Sequence, residues 1–382
     1  MSATISIEST VFAGGDEGYH SFRIPAVLSL GDDRVLAFCE GRLESPDDAG
    51  QIDLVVRTSD DGGRTWGPLR VVSSADGYTS GNPAPVVDPA SGDIVLLSCR
   101  NIGDVKEREV TISASGRNTR TVHLQRSSDR GDTWSAPVDI SEQAKPEGWG
   151  WYATGPGHGI ALTDPRWAGR LVVPGNHSMV PTAEPDRELH TYGGAHSLIS
   201  DDGGHTWRVG FVDRNDADEI NANENMVAEL ADGRLHFNAR NHEGTLATRG
   251  GPRVAAWSSD GGETLDAVYA PATGIVSPII QGSLLRWRDR LLLSAPSDPD
   301  RRRLMMINSS VDDGRTWQQA WQVSDAMAGY SDLVAMPDGS VGLLYETGEK
   351  SSFAELRFVT FTLADEAEVP ENADLGAAEV AS

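Results

Sequence analysis

Several stretches of the chain combine residue types that can grip an anion and move a proton. F-R-I-P carries Arg23, whose planar guanidinium offers a bidentate match to a carboxylate, with Pro25 fixing the backbone just beyond it. S-P-D-D-A-G sets Asp47 and Asp48 on a turn, where the plain reading is a solvated loop. Glu224 and Arg240 bracket a strand, an A-D-G-R turn and a second strand, with Glu229 as a rival carboxylate beside the turn. D-P-D-R-R-R supplies Arg301, Arg302 and Arg303 in succession, and a strand cannot point three adjacent side chains into one pocket. G-Y-S-D-L and L-L-Y-E hold Tyr330 and Glu346 in strand-like runs, where a core tyrosine is the ordinary outcome. His158, His177, His190 and His196 are spaced irregularly and have no accompanying Cys or Asp set, which argues against a metal site.

The elements that must position these groups are announced by a repeat. S-x-D-x-G-x-T-W occurs at Ser59–Trp66, Ser127–Trp134, Ser200–Trp207 and Ser310–Trp317, and Ser258–Leu265 keeps all but the Trp. The aspartates at 61, 129, 202, 260 and 312 are 68, 73, 58 and 52 residues apart. A repeat of that length is one supersecondary unit that cannot bury its apolar face alone. Asp and Gly two apart favour a turn with a residue at positive φ, and the Thr and Trp that follow suit the start of a strand. Apolar runs precede every copy, Ile52–Val56 and Leu304–Ile307 among them. Each unit therefore reads as a four-stranded antiparallel blade, and blades packed radially make a β-propeller. The alternating run Ile5–Phe12 lies outside the first repeat and is expected to join the last blade. The boxes count five blades and the terminal strands imply another, so the expectation is an all-β, six-bladed propeller with N- and C-terminal strands closing the ring.

The repeat resembles the Asp-box of the sialidase (neuraminidase) superfamily, in which boxes lie on the rim and do no chemistry. The motifs between the boxes resemble those of exo-α-sialidases of the bacterial and animal type over residues 10 to about 363. The resemblance implies three arginines that clamp a substrate carboxylate: Arg23, Arg240 and Arg302, with Arg303 as the second choice and Arg42 as a further arginine near the sugar. It implies Tyr330 as nucleophile, Glu224 as the base that activates it, Asp48 as general acid/base with Asp47 as second choice, and Glu346 as the partner that orients Arg23. A sialic acid carries its carboxylate on the anomeric carbon, so an anionic nucleophile would be repelled and a neutral tyrosine would not. Sialidases are accordingly the tyrosine exception among two-carboxylate glycosidases. The implied reaction is retaining hydrolysis of terminal α-linked sialic acids from a sialylated glycan, without cofactor or metal. The alternatives are a non-catalytic sialic-acid-binding propeller, a Kdn-preferring hydrolase and a trans-sialidase.

Composition narrows the partners. A formal charge of −25 over 382 residues repels nucleic acid and anionic membrane surfaces. Forty-one glycines, 20 prolines and 10 tryptophans fit a turn-rich all-β chain. Cys39 and Cys99 sit in apolar runs and read as buried free thiols. The first residues lack a signal-peptide pattern and no apolar run reaches transmembrane length, so a cytoplasmic protein, monomeric by default, is expected. Residues 1–363 read as one catalytic domain and 364–382 as an acidic disordered tail.

Overall fold

A computed structural model describes residues 3–113, 116–181, 193–213, 220–242 and 251–364. The tail expected over 364–382 lies outside the described residues apart from Ala364, as does His190.

Among the described residues the architecture is all-β, with antiparallel sheets in chain order. Leu171–Met179 and Gly193–Ser200 form the middle of one sheet, between Trp149–Thr154 and Arg208–Val212, and the short Ile160–Ala161 adds a fifth strand to it. Ala222–Glu229, Leu235–Asn241, Arg253–Ser258 and Ala270–Pro271 make the next. Ser283–Trp287, Arg290–Pro296, Met305–Ser310 and Gln318–Gln322 make another. The last chain segments, Met327–Ala335, Val341–Gly348 and Glu355–Leu363, are completed by the N-terminal strand Ala3–Ala13, which pairs with Glu355–Leu363 from Ala3 opposite Leu363 to Ala13 opposite Glu355.

These four sheets stand alone as blades, and the expected count of six is corrected here. The strands around the first two boxes do not separate into two blades. Ser21–Ser29, Val35–Arg42, Ile52–Ser59 and Arg70–Ser73 are hydrogen-bonded into one eight-stranded sheet with Tyr78–Val87, Ile94–Ile102, Thr121–Ser127 and Val138–Asp139. The physical cause is a local parallel pairing of Ile52 with Thr79. Thr79 Oγ1 donates to the Gly50 carbonyl at 2.8 Å, and Gly103 ties the same corner by donating to Gly77 and accepting from Gly50.

Neighbouring sheets touch in sequence. Trp149–Thr154 lies against Tyr78–Val87, Ala222–Glu229 against Leu171–Met179 and Ser283–Trp287, and Met327–Ala335 against both Ser283–Trp287 and Ser21–Ser29. The last sheet thus meets the first, and the arrangement is a β-propeller. Its core consists of apolar layers between sheets: Val27, Val35 and Cys39 pack with Val334, Leu344 and Phe358, and Val86, Val95 and Leu97 with Tyr152, Leu171 and Trp207. Cys39 and Cys99 are both buried free thiols.

Every box has one geometry. Ser127 Oγ donates to Asp129 Oδ1 and accepts from the Gly131 amide at 2.7 Å, while Asp129 accepts from the Thr133 amide at 2.9 Å and from its hydroxyl at 2.5 Å. Gly131 has φ +89° and packs so closely on the preceding repeat that a Cβ there would lie 2.2 Å from Leu36 Cδ2. The box therefore fastens the outer turn of one unit to the core of the unit before it. Trp207 and Trp317 are buried, whereas Trp66 and Trp134 are half-buried.

Candidate active site

The inner ends of strands from different sheets converge on a polar cavity of about 190 Å³, lined by Arg23, Arg42, Asp48, Glu224, Arg240, Arg302 and Tyr330 among others. Residues far apart in the chain meet here because register shifts bend the inner strands. The ladder breaks between Arg23 and Ala26, between Ala222 and Asn225, and between Ala328 and Ser331, each time next to a pocket residue.

Tyr330 Oη donates to Glu224 Oε1 at 2.5 Å. Arg240 Nη1 bridges the pair, 2.9 Å from Glu224 Oε2 and 3.3 Å from Tyr330 Oη. The guanidinium carbons of Arg23 and Arg302 lie 5.3 and 5.7 Å from the centre of the Tyr330 ring. Three arginines thus surround one phenol. Burial, and then the charge of Glu224, pushes that phenol well above its ordinary range against the pull of the arginines, so the hydroxyl keeps its proton in the free protein.

Glu346 is fully buried beneath this group. Its Oε1 accepts from Arg23 Nε at 3.1 Å and from the Ile24 amide at 3.1 Å, and its Oε2 accepts from the Tyr330 amide at 3.0 Å. One carboxylate therefore fixes both Arg23 and the strand that carries Tyr330. Phe353 covers Arg23 from another side, with the guanidinium carbon 4.1 Å from the ring centre.

Asp48 reaches over the pocket from the loop after Val35–Arg42. Its Oδ1 is 2.7 Å from Arg42 Nη2 and 3.7 Å from Arg23 Nη1, and its side chain is 65% exposed. The pocket walls disfavour its charge, but Arg42 and then Arg23 outweigh them and hold the carboxyl below its ordinary range. Asp47 is exposed and does not line the cavity. Arg302 lines the cavity, whereas Arg303 turns toward Asp298 and the Asp325 carbonyl. Glu229 is taken up outside the pocket by the Thr163 and Asp164 amides.

Of the four histidines, His158, His177 and His196 are buried in the interior. His158 pairs with buried Asp332 at 2.9 Å, and His177 stacks on Trp149 with ring centres 3.7 Å apart. Trp151, by contrast, lines the pocket, backed by Arg120 at 4.2 Å. Sequence reasoning did not single out Glu40, Asn82, Glu107 or Arg120, which also line it. Asn82 carries a faint signal, standing in G-N-P-A-P at φ +54°. Arg120 ends a stretch that reads as polar loop, yet its Nε and Nη2 are held by the Tyr152 carbonyl and Asn82 Oδ1.

Residues 33–343 match the BNR repeat-like domain family. The chain is 31% identical to the exo-alpha-sialidase of Aspergillus fumigatus over 358 residues, covering 86% of this chain and 79% of that protein. The chain belongs to the sialidase family. A sialidase of Micromonospora viridifaciens is 32% identical over 379 residues, covering 94% of this chain and 54% of the longer relative. The solved structure of the Hadza microbial sialidase Hz136 superposes with a TM-score of 0.77 at 27% identity, covering 92% of this chain and 67% of that one. This sialidase is accordingly a glycoside hydrolase that acts on sialic acid glycosides. The arginine cluster, with Arg23 and Arg42 buried and Arg240 and Arg302 half-buried, supplies the local positive field that such an anionic sugar needs on a chain of net charge −25.

Proposed function

We propose that the chain is a retaining exo-hydrolase of terminal α-linked sialic acids, N-acetylneuraminic acid or a related nonulosonic acid, working through a covalent link to Tyr330. The observation that carries this reading is the 2.5 Å bond from Tyr330 to Glu224, enclosed by Arg23, Arg240 and Arg302. The three guanidiniums clamp the substrate carboxylate and set the anomeric carbon against Tyr330 Oη. Glu224 takes the phenol proton as Oη bonds to that carbon, because a phenol that keeps its proton is a weak nucleophile. Asp48 gives a proton to the departing glycosidic oxygen as its bond breaks. Water then attacks the same carbon, Asp48 accepts its proton, and Tyr330 leaves with the proton held by Glu224. Two displacements restore the starting configuration.

The substrate is expected to change Asp48 as it binds. Its carboxylate meets the charge of Arg23, weakening the pull that keeps Asp48 ionised in the free protein. The direct test is Tyr330→Phe. Hydrolysis of a natural sialoside should fall to background in a variant with wild-type melting behaviour, and proton NMR of the wild-type reaction should show the α-anomer as first product. Undiminished turnover in the variant, or an initial β-anomer, would remove the tyrosine-linked route.

A further inference from the structure

Glu40 is a buried carboxylate on the strand Val35–Arg42, two residues before Arg42 and therefore on the same face. Its Oε2 accepts from Arg42 Nε at 3.0 Å and from Nη2 at 2.6 Å, and its Oε1 accepts from the Asn82 amide at 2.9 Å. The neighbouring strand is shaped to it: Asn82 has φ +54°, and a Cβ on Gly81 would lie 2.2 Å from Glu40 Oε1. The same device appears around Glu346, which holds Arg23, takes the Ile24 amide where φ is +58°, and lies 2.1 Å from where a Cβ on Gly329 would be. Two pocket arginines are thus each set by a buried glutamate that also pins a left-handed residue on an adjoining strand.

The difference lies in what the arginine touches. Arg42 Nη2 is shared between Glu40 at 2.6 Å and Asp48 at 2.7 Å, and Arg42 Nη1 donates to the Pro46 carbonyl in the loop that carries Asp48. We propose that Glu40 is a positioning residue for the general acid: it fixes the Arg42 fork under the Asp48 loop and offsets part of Arg42's charge, so that Asp48 can take up the proton it delivers. The inference rests on Asp48 being the acid of the proposed reaction.

The other charges facing Asp48 are Arg23, Arg120 and, across the pocket, Glu107. Confinement by the pocket, and then the charge of Asp48, raises the Glu107 carboxyl. Arg23 is already partnered by Glu346, so Arg42 is the cation whose hold on Asp48 depends on Glu40.

Glu40→Gln removes the offsetting charge while nearly preserving shape. Arg42 then stabilises the Asp48 carboxylate more strongly, and the protonated acid becomes rarer at a given pH. For a natural sialoside the basic limb of the kcat profile should move to lower pH by about half to one unit. An aryl sialoside with a good leaving group needs no proton, and its basic limb should stay in place. Glu40→Asp keeps the charge but withdraws it, and should fall between wild type and Glu40→Gln. If Glu40→Gln fails to fold, the same-signed, smaller shift in Glu40→Asp carries the test. A natural-substrate limb that stays put while melting temperature drops would make Glu40 structural only and overturn the proposal. Asp48→Ala run alongside separates the two ideas: equal losses on natural and aryl substrates would instead remove Asp48 as the acid.

Discussion

Tyr330 and Asp48 stand in opposite electrostatic settings on either side of Arg23, which lies 3.7 Å from Asp48 and 5.3 Å from the Tyr330 ring centre. The phenol is buried against a carboxylate and holds its proton, whereas the aspartate is open to water, paired with guanidiniums and ionised. Their partners should therefore be separable kinetically. In the proposed mechanism Glu224→Gln leaves the phenol without its base whatever the leaving group, so kcat should fall by about 10²–10⁴-fold on natural and aryl sialosides alike. Asp48→Ala should slow the natural substrate far more than the aryl one, and steady-state kinetics on the two substrates reads the contrast. Tyr330, Glu224 and Arg240 were legible because each sits in a local word, G-Y-S-D-L or N-E-N…N-A-R. Glu40 was not, because nothing in F-C-E-G-R shows that its carboxylate meets Asn82, 42 residues on. Among Arg301–Arg303 the first choice, Arg302, is the one that lines the cavity, and its carbonyl accepts from the Ala328 amide.

At the scale of elements, the boxes act as fasteners. Gly131→Ala would force a methyl against Leu36 at a backbone angle that L-residues resist, and should cost about 2–4 kcal/mol in denaturant unfolding. The box aspartates also confer acid sensitivity. Partial burial costs Asp61 and Asp202 some of their hydration, but bonds from Thr65 and Thr206 dominate and hold them at about 2, and bonds from Thr133 do the same for Asp129, against an ordinary value of 3.8. A depressed folded-state pKa contributes stability that is present above the unfolded value and lost as pH falls through the folded one. Melting temperature should therefore drop steeply between about pH 4 and 2, and Asp129→Asn should flatten part of that slope. The repeat announced these turns directly. It did not announce the joining of the first two units, because the Ile52–Thr79 pairing runs between repeats and no pattern within either one encodes it.

Across the whole molecule, the last sheet is built from both ends of the described chain. Ala3–Ala13 supplies the strand that covers Glu355–Leu363, and it inserts Val11 and Phe12 into the layer shared with the first sheet. Deleting residues 3–13 removes a full antiparallel ladder and two buried side chains, each contributing roughly 1.5–3 kcal/mol. The truncated chain should melt at lower temperature, lose activity in proportion, and expose an unpaired strand edge that aggregates on heating, as light scattering would report. That the terminal strands would meet was readable from the alternation in Ile5–Phe12. How sheets press on one another was not, because contacts such as Gly131 on Leu36 depend on backbone proximity that composition does not encode.

The bond from Arg23 to Glu346 spans 323 residues of sequence. A ribosome adding roughly 5–20 residues per second makes the arginine some tens of seconds before its partner exists. Until the final strands emerge the nascent chain carries this guanidinium without the buried carboxylate that fixes it, and the phenol-bearing strand is among the last to be made. Sheets in the middle of the chain can form as they emerge, but the clamp assembles only with the final strands. A message cut short before Glu346 should therefore yield folded blades with no trace of activity, because the site is complete only once the strand that carries Glu346 has been made.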